Sequence, residues 1–104
     1  MKALMLTIAL AGSMLVAGQA NAEDAKALAQ KSGCLACHSV DAKILGPGYK
    51  DVAAKYKGDK TAEAKLIAKV KTGGSGVWGP MPMPANTQVK DDDIKTIVKW
   101  ILSL

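Results

Sequence analysis

Cys34-Leu35-Ala36-Cys37-His38 places both cysteines and the single histidine of a 104-residue chain in five consecutive positions. Two thiols with two residues between them can reach the two vinyl groups of one porphyrin. An imidazole on the next residue then falls beneath the iron as an axial ligand, and C-x-x-C-H is the attachment pattern for c-type haem. A chain tied in this way must wrap its elements round a rigid apolar plate held near its start. One covalently held haem c and a redox or haem-binding role follow from the motif.

Two other chemistries use the same residue types. A redox or structural C-x-x-C usually opens a helix after a strand in a βαβ unit. The apolar spacing of this chain is helical throughout and offers no convincing strand. A structural zinc site takes four Cys or His ligands, and the chain holds three such residues in total. Haem attachment accounts for the order as well as the composition.

The first residues read as a leader. Lys2 supplies a positive start, residues 3–16 are apolar, and Ala20-Asn21-Ala22 is a small-residue cleavage site before charge begins at Glu23. This is the pattern of a secretory signal peptide over residues 1–22, too short for a membrane anchor. The expected domain is residues 23–104, a single small unit of 82 residues. Chains of this size bury a modest share of their surface and often need a staple or cofactor. With no phenylalanine anywhere, a haem plate would serve as the centre of the core.

All fourteen basic residues are lysines, thirteen of them beyond the leader, against nine acids. The surplus reads as solvated helix faces with a weak positive field able to steer an acidic partner. The lack of arginine, the lack of any known binding motif and the expected export weigh against nucleic-acid binding.

Helical spacing predicts a first helix over residues 24–31, with Ala25, Leu28 and Ala29 on one face, ended by Ser32-Gly33. Gly46-Pro47-Gly48 is a rigid turn. A short helix over 49–56 turns Val52, Ala53 and Tyr56 inward. Thr61 is placed as the N-cap of a helix running to residue 71. Gly73-Gly74-Ser75-Gly76 breaks it, and residues 77–90 read as a loop stiffened by Pro80, Pro82 and Pro84. Asp91-Asp92-Asp93 suits the positive end of a last helix. Its Ile94, Ile97, Val98, Ile101 and Leu102 recur at amphipathic spacing. The fold class is all-α, about four short helices round one haem.

No second histidine can take the other axial position. Beyond the leader, the methionines are Met81 and Met83, both within Gly79-Pro80-Met81-Pro82-Met83-Pro84. Prolines fix φ and favour extended chain before them, so this stretch can hold a thioether at the iron without relying on the weak Fe–S bond. His/Met ligation raises the reduction potential. Local geometry does not choose between the two.

With these residues in view, the chain resembles the class I c-type cytochromes, in particular the short bacterial monohaem branch of cytochrome c-551 type. The resemblance rests on Gly33-Cys34-Leu35-Ala36-Cys37-His38 and Gly46-Pro47-Gly48-Tyr49-Lys50-Asp51-Val52-Ala53. It continues through Gly76-Val77-Trp78-Gly79-Pro80-Met81-Pro82-Met83-Pro84 and Lys99-Trp100-Ile101-Leu102-Ser103. It implies that Met83 is the sixth ligand opposite His38, with Met81 at a neighbouring surface position. It also implies that the Pro47 carbonyl accepts the Nδ1–H of His38, that Trp78 hydrogen-bonds a haem propionate, and that Asn86 contacts the Met83 sulfur. Trp100 is expected in the core. The chain departs from the family at Lys69, where an arginine near a propionate is common, at Leu28, where an aromatic is common, and at Gly48, where alanine is common.

The resemblance implies a periplasmic, monomeric one-electron carrier working through an exposed haem edge, near Leu35, Ala36, Ile44, Leu45 and the Pro80–Pro82 stretch. Its partners would be a membrane cytochrome complex as donor and a terminal oxidase, nitrite reductase or peroxidase as acceptor. The alternative is a haem enzyme or gas sensor, which needs an open sixth position. A methionine loop and the absence of a second histidine weigh against it.

Overall fold

The computed structural model describes residues 22–104. The leader expected over residues 1–22 therefore lies, but for its last residue, outside the described residues. The order is α1 (Ala22–Lys31), a 3-10 turn at Cys34–Ala36, α2 (Tyr49–Lys55) and α3 (Ala62–Thr72). A hairpin follows, of β1 (Gly74–Gly76) and β2 (Gly79–Met83), and then α4 (Asp91–Leu102). The fold is predominantly helical, as the spacing predicts. No described helix is long and apolar enough to cross a membrane.

α4 is the organising helix, and α1, α2 and α3 all pack on it. Three acids occupy its first turn, where the helix dipole favours them. Ile94, Ile97, Val98, Trp100 and Ile101 form its buried face. Leu102 is only half-buried, and Trp100 takes its expected place in the core. On α1, Ala25 and Ala29 are 0% exposed. These small side chains let the α1 backbone approach α4 closely. The central cluster is Ala25, Ala29, Tyr49, Val52, Ile97, Trp100 and Ile101, with Leu28 and Leu35 packed against it.

Gly33 ends α1. Its left-handed φ of 83° turns the chain straight into the C-x-x-C-H turn. Beyond His38 the chain loops back on itself. Gly46 N–H donates to Cys37 O at 2.8 Å, and the first amides of α2, Tyr49 and Lys50, donate to Ser39 and Val40 carbonyls at 2.8 and 3.0 Å. Those amides would otherwise lack partners at the helix start, so the loop and α2 fix each other.

Two local expectations are corrected. Thr61 stands at the N-cap of α3 as expected, but its side chain makes no capping hydrogen bond to the helix. Its hydroxyl donates to Asp59 Oδ1 at 2.6 Å, and its N–H donates to the same oxygen at 2.8 Å. Asp59 organises this turn, one carboxylate oxygen accepting both donors. The second correction is the hairpin, where the proline spacing suggested only loop. β2 pairs antiparallel with β1, Gly74 opposite Met83 and Gly76 opposite Gly79. A strand directs every second N–H toward a given neighbour. Pro80 and Pro82 thus fall between the two paired positions, Gly79 and Met83, where a missing N–H costs the ladder least.

The two Thr61 hydrogen bonds hold the Asp59 carboxyl below its ordinary range, Lys65 adding to the effect. A depressed folded-state pKa gives stability that is present above the unfolded value, about 4, and is lost as pH falls through the folded value. Asp59→Ala is expected to lower the thermal midpoint at pH 7, with the deficit shrinking on acidification below about pH 4. Scanning calorimetry across that range checks it, and a deficit independent of pH contradicts it.

Candidate functional site

The 3-10 turn, the His38 loop, α3, the hairpin and α4 enclose a cleft of about 550 Å³. That volume lies within the roughly 300–1,000 Å³ of small-molecule sites. Cys34, Cys37, His38, Pro47, Trp78, Met81 and Met83 all line it, with Val52, Leu66, Val70, Ile94, Ile97, Val98 and Ile101 supplying apolar wall. Residues 40 or more positions apart in sequence thus meet on one cavity.

His38 is held by three neighbours. Its Nδ1 lies 2.8 Å from the Pro47 carbonyl oxygen. A carbonyl can only accept, so Nδ1 carries the proton and Nε2 keeps its lone pair for a metal. The Tyr49 ring stacks on the imidazole at 5.0 Å and 21°. The backbone of Gly46 approaches it so closely that a Cβ there would stand 2.4 Å from Cε1 and 2.8 Å from Nδ1.

Cys34 and Cys37 are both free thiols. Burial pushes the Cys34 thiol above its ordinary range, partly offset by hydrogen bonds from the Tyr49 hydroxyl and the backbone. Tyr49 is itself pushed up, first by burial and then by Cys34. At neutral pH Cys34 is therefore a neutral thiol and Tyr49 a neutral donor to its sulfur. Tyr49 also meets Trp100 edge-on at 5.6 Å, which links the attachment turn to α4.

Met83 is half-buried at the end of β2, opposite Gly74. Gly73 sets its depth. With φ at 70°, its added Cβ would sit 2.4 Å from Met83 O and 2.9 Å from Pro84 C, so no other residue lets α3 pass this close to the methionine strand. Met81 is 58% exposed at the cleft mouth.

The remaining expected residues are placed as follows. Trp78 stands at the mouth, 40% exposed, with Lys55 Nζ 5.6 Å from its ring centroid. Lys69 lines the cleft and reaches toward Gly74, where an added Cβ would be 3.0 Å from its Nζ. Gly48 packs against the Ala42 backbone, where an alanine Cβ would meet 3.2 Å contacts. Asn86 does not line the cleft. Its Nδ2 donates to Val70 O and Pro84 O, each at 3.3 Å, and both its amide hydrogens are thereby used on backbone rather than on the Met83 sulfur. Ile44, Leu45, Val77 and Met81 leave an exposed apolar rim, while Leu35, expected on that rim, packs inward.

The donor set fits covalent haem. Two thiols and a lone pair on Nε2 share one side of the chain's attachment turn, a thioether lines the same cavity, and the walls are apolar. Among the described residues no group of three His, Cys, Asp or Glu is placed to hold a metal ion by itself. Sequence reading passed over Gly46, Tyr49 and Gly73 as site residues. Gly-Pro-Gly-Tyr and Gly-Gly carried a signal, but only as turn and helix stop; the ring stack and the close approaches are long-range facts.

The cytochrome c family model matches residues 22–104. Cytochrome c-551 of Pseudomonas aeruginosa is 50% identical over 103 residues, covering 99% of this chain and 98% of that protein. Cytochrome c-551 of Allochromatium vinosum is 62% identical over 77 residues, 74% of this chain and 82% of that protein. The crystal structure of wild-type Nitrosomonas europaea cytochrome c552 superposes with a TM-score of 0.74 at 49% identity, covering 76% of this chain and 98% of that chain.

The Gly46 contact yields a direct test. Gly46→Ala is expected to destabilise the loaded protein by about 1–3 kcal/mol, the usual cost of overpacking a filled site, because the new methyl must displace a ring pinned by Pro47. Chemical denaturation measures it; a neutral substitution contradicts the close approach.

Proposed function

The chain belongs to the cytochrome c family, which carries covalently bound haem c with its iron, and on that premise we propose that it is a periplasmic one-electron carrier with His38 and Met83 as axial ligands. The observation that supports this best is the convergence of Cys34, Cys37, His38 and Met83 on one apolar cleft. Cys34 and Cys37 are the sites of the two thioether bonds. Haem c, when bound, supplies an iron that alternates between ferrous and ferric states.

The chain's own residues do the rest. Pro47 holds the His38 proton on Nδ1 and makes Nε2 the more basic donor. Tyr49 and Gly46 restrain the ring, so that little reorganises when charge changes. Gly73 and the proline-stiffened β2 hold Met83 by backbone rather than by the Fe–S bond alone. The apolar wall keeps water from the centre, which with a thioether ligand favours the lower charge and raises the potential. Trp78 and Lys69 line the cleft and would supply donors to the propionates, Lys69 as a point charge without the fork of an arginine. Asn86 acts on Met83 through the backbone, by tying Pro84 to Val70.

Transfer would proceed through the rim formed by Ile44, Leu45, Val77 and Met81. An apolar rim suits brief docking with small buried area. In family terms the donor is a membrane cytochrome complex, and the acceptor a terminal oxidase, nitrite reductase or peroxidase. A carrier that docks briefly and turns over one electron has no need of an open ligand position, which an enzyme or gas sensor requires.

Mass spectrometry of the exported protein is expected to show a chain beginning at Glu23 with one haem that survives acid–acetone extraction. A Cys34–Cys37 disulfide with no haem would end this reading. The native ferrous protein is expected to bind carbon monoxide slowly and weakly; rapid, tight binding favours the sensor or enzyme class.

A further inference from the structure

We propose that Met81 is a second thioether ligand, able to take the place of Met83 when β2 slides by two residues. The inference rests on the proposed thioether ligation at this site. Two independent features point to it. The first is the ladder. From Gly76 opposite Gly79, a regular antiparallel pairing places Gly74 opposite residue 81; the observed partner is Met83, with an irregularity between the two pairs. β2 thus holds two residues more than β1 needs.

The second is the sequence of the strand. Pro80-Met81-Pro82-Met83-Pro84 repeats with a period of two. A one-residue slip would turn each side chain to the opposite face, but a two-residue slip keeps faces and replaces like with like. Proline lands on proline and methionine on methionine, so no proline is brought to a paired position. The contact at Gly73 survives too. Its tight neighbours are backbone atoms of Met83, Pro84 and Ala85, and the slip would bring the backbone of Met81, Pro82 and Met83 to the same place. Met81 already lines the cleft with Met83.

The slip moves the two spare residues out of the hairpin and into the segment before α4. Its cost is the anchoring at Asn86, whose backbone N–H donates to Val70 O at 3.0 Å and whose side chain binds Val70 O and Pro84 O. Those bonds keep Met83 as the resting ligand. Replacement of the Met83 thioether leaves those bonds alone to oppose the slip, against a thioether gained from Met81.

The test compares the loaded parent, Met83→Ala, Met81→Ala and the double variant at equal haem content. The readouts are the near-red band of thioether-bound ferric haem and the upfield methyl resonance of a bound methionine in the ferrous form. The parent and both single variants are expected to keep both signals, and the double variant to lose them. A Met83→Ala protein indistinguishable from the double variant overturns the inference. Should Met83→Ala fail to load haem, deletion of Pro82 and Met83 together enforces the shorter register; retention of the band supports the slip and its absence overturns it. A fully loaded parent that itself lacks the band rejects thioether ligation at this site, a failure distinct from loss confined to Met83→Ala.

Discussion

An apolar cleft that no side chain of this protein is large enough to close sets the terms for the rest of the structure. Leu66, Val70, Ile94, Ile97, Val98 and Ile101 face it, and exposing such a wall to water is unfavourable in proportion to its area. The fully buried side chains are small: Ala25, Ala29 and Ala62 are almost wholly inaccessible, and the bulkiest such residues are Ile94 and Val98. A domain of this length has little core to spare. The haem is therefore a structural member as much as a redox centre, and the helices are arranged as walls for it.

Around that plate the chain uses backbone approach where larger proteins use side-chain bulk. Gly46 against His38 and Gly73 against the Met83 strand are the two narrowest points, one on each of the two proposed ligands. Both glycines let backbone reach where a Cβ would intrude. Tyr49 joins the two halves of the problem: it stacks on His38, donates to Cys34 and meets Trp100 of α4. Surface charge contributes less. The ion pairs of Lys50 with Asp41 and Lys71 with Asp91 are exposed, where such contacts are worth about 0–1 kcal/mol.

Much of this was legible in the residues. The C-x-x-C-H run names its own chemistry, and the period of α4 is strong because Ile94, Ile97, Val98 and Ile101 all serve one face. Local signals that had competitors were less reliable. Thr61 has the chemistry of a cap and the position of one, but Asp59 two residues earlier draws its hydroxyl away from the helix amides. Alternating prolines read as loop because the rule against proline in sheets applies to central strands; β2 has one neighbour, and its prolines lie between the two paired positions. Asn86 bonds Val70 and Pro84 because the backbone of two segments meets there, which spacing alone does not reveal. Gly46, Gly73 and Tyr49 matter through contacts made across the fold, and no local pattern encodes those.

The central claim is that the helices depend on the plate they enclose. The most direct measurement is far-ultraviolet circular dichroism of the Cys34→Ala, Cys37→Ala variant prepared free of haem, set beside the loaded parent at room temperature. The variant is expected to lose most of the helical signal and to show no cooperative thermal transition. A haem-free chain with parent-like helicity and a cooperative transition would show that α1 to α4 hold one another without the cofactor, and would contradict it.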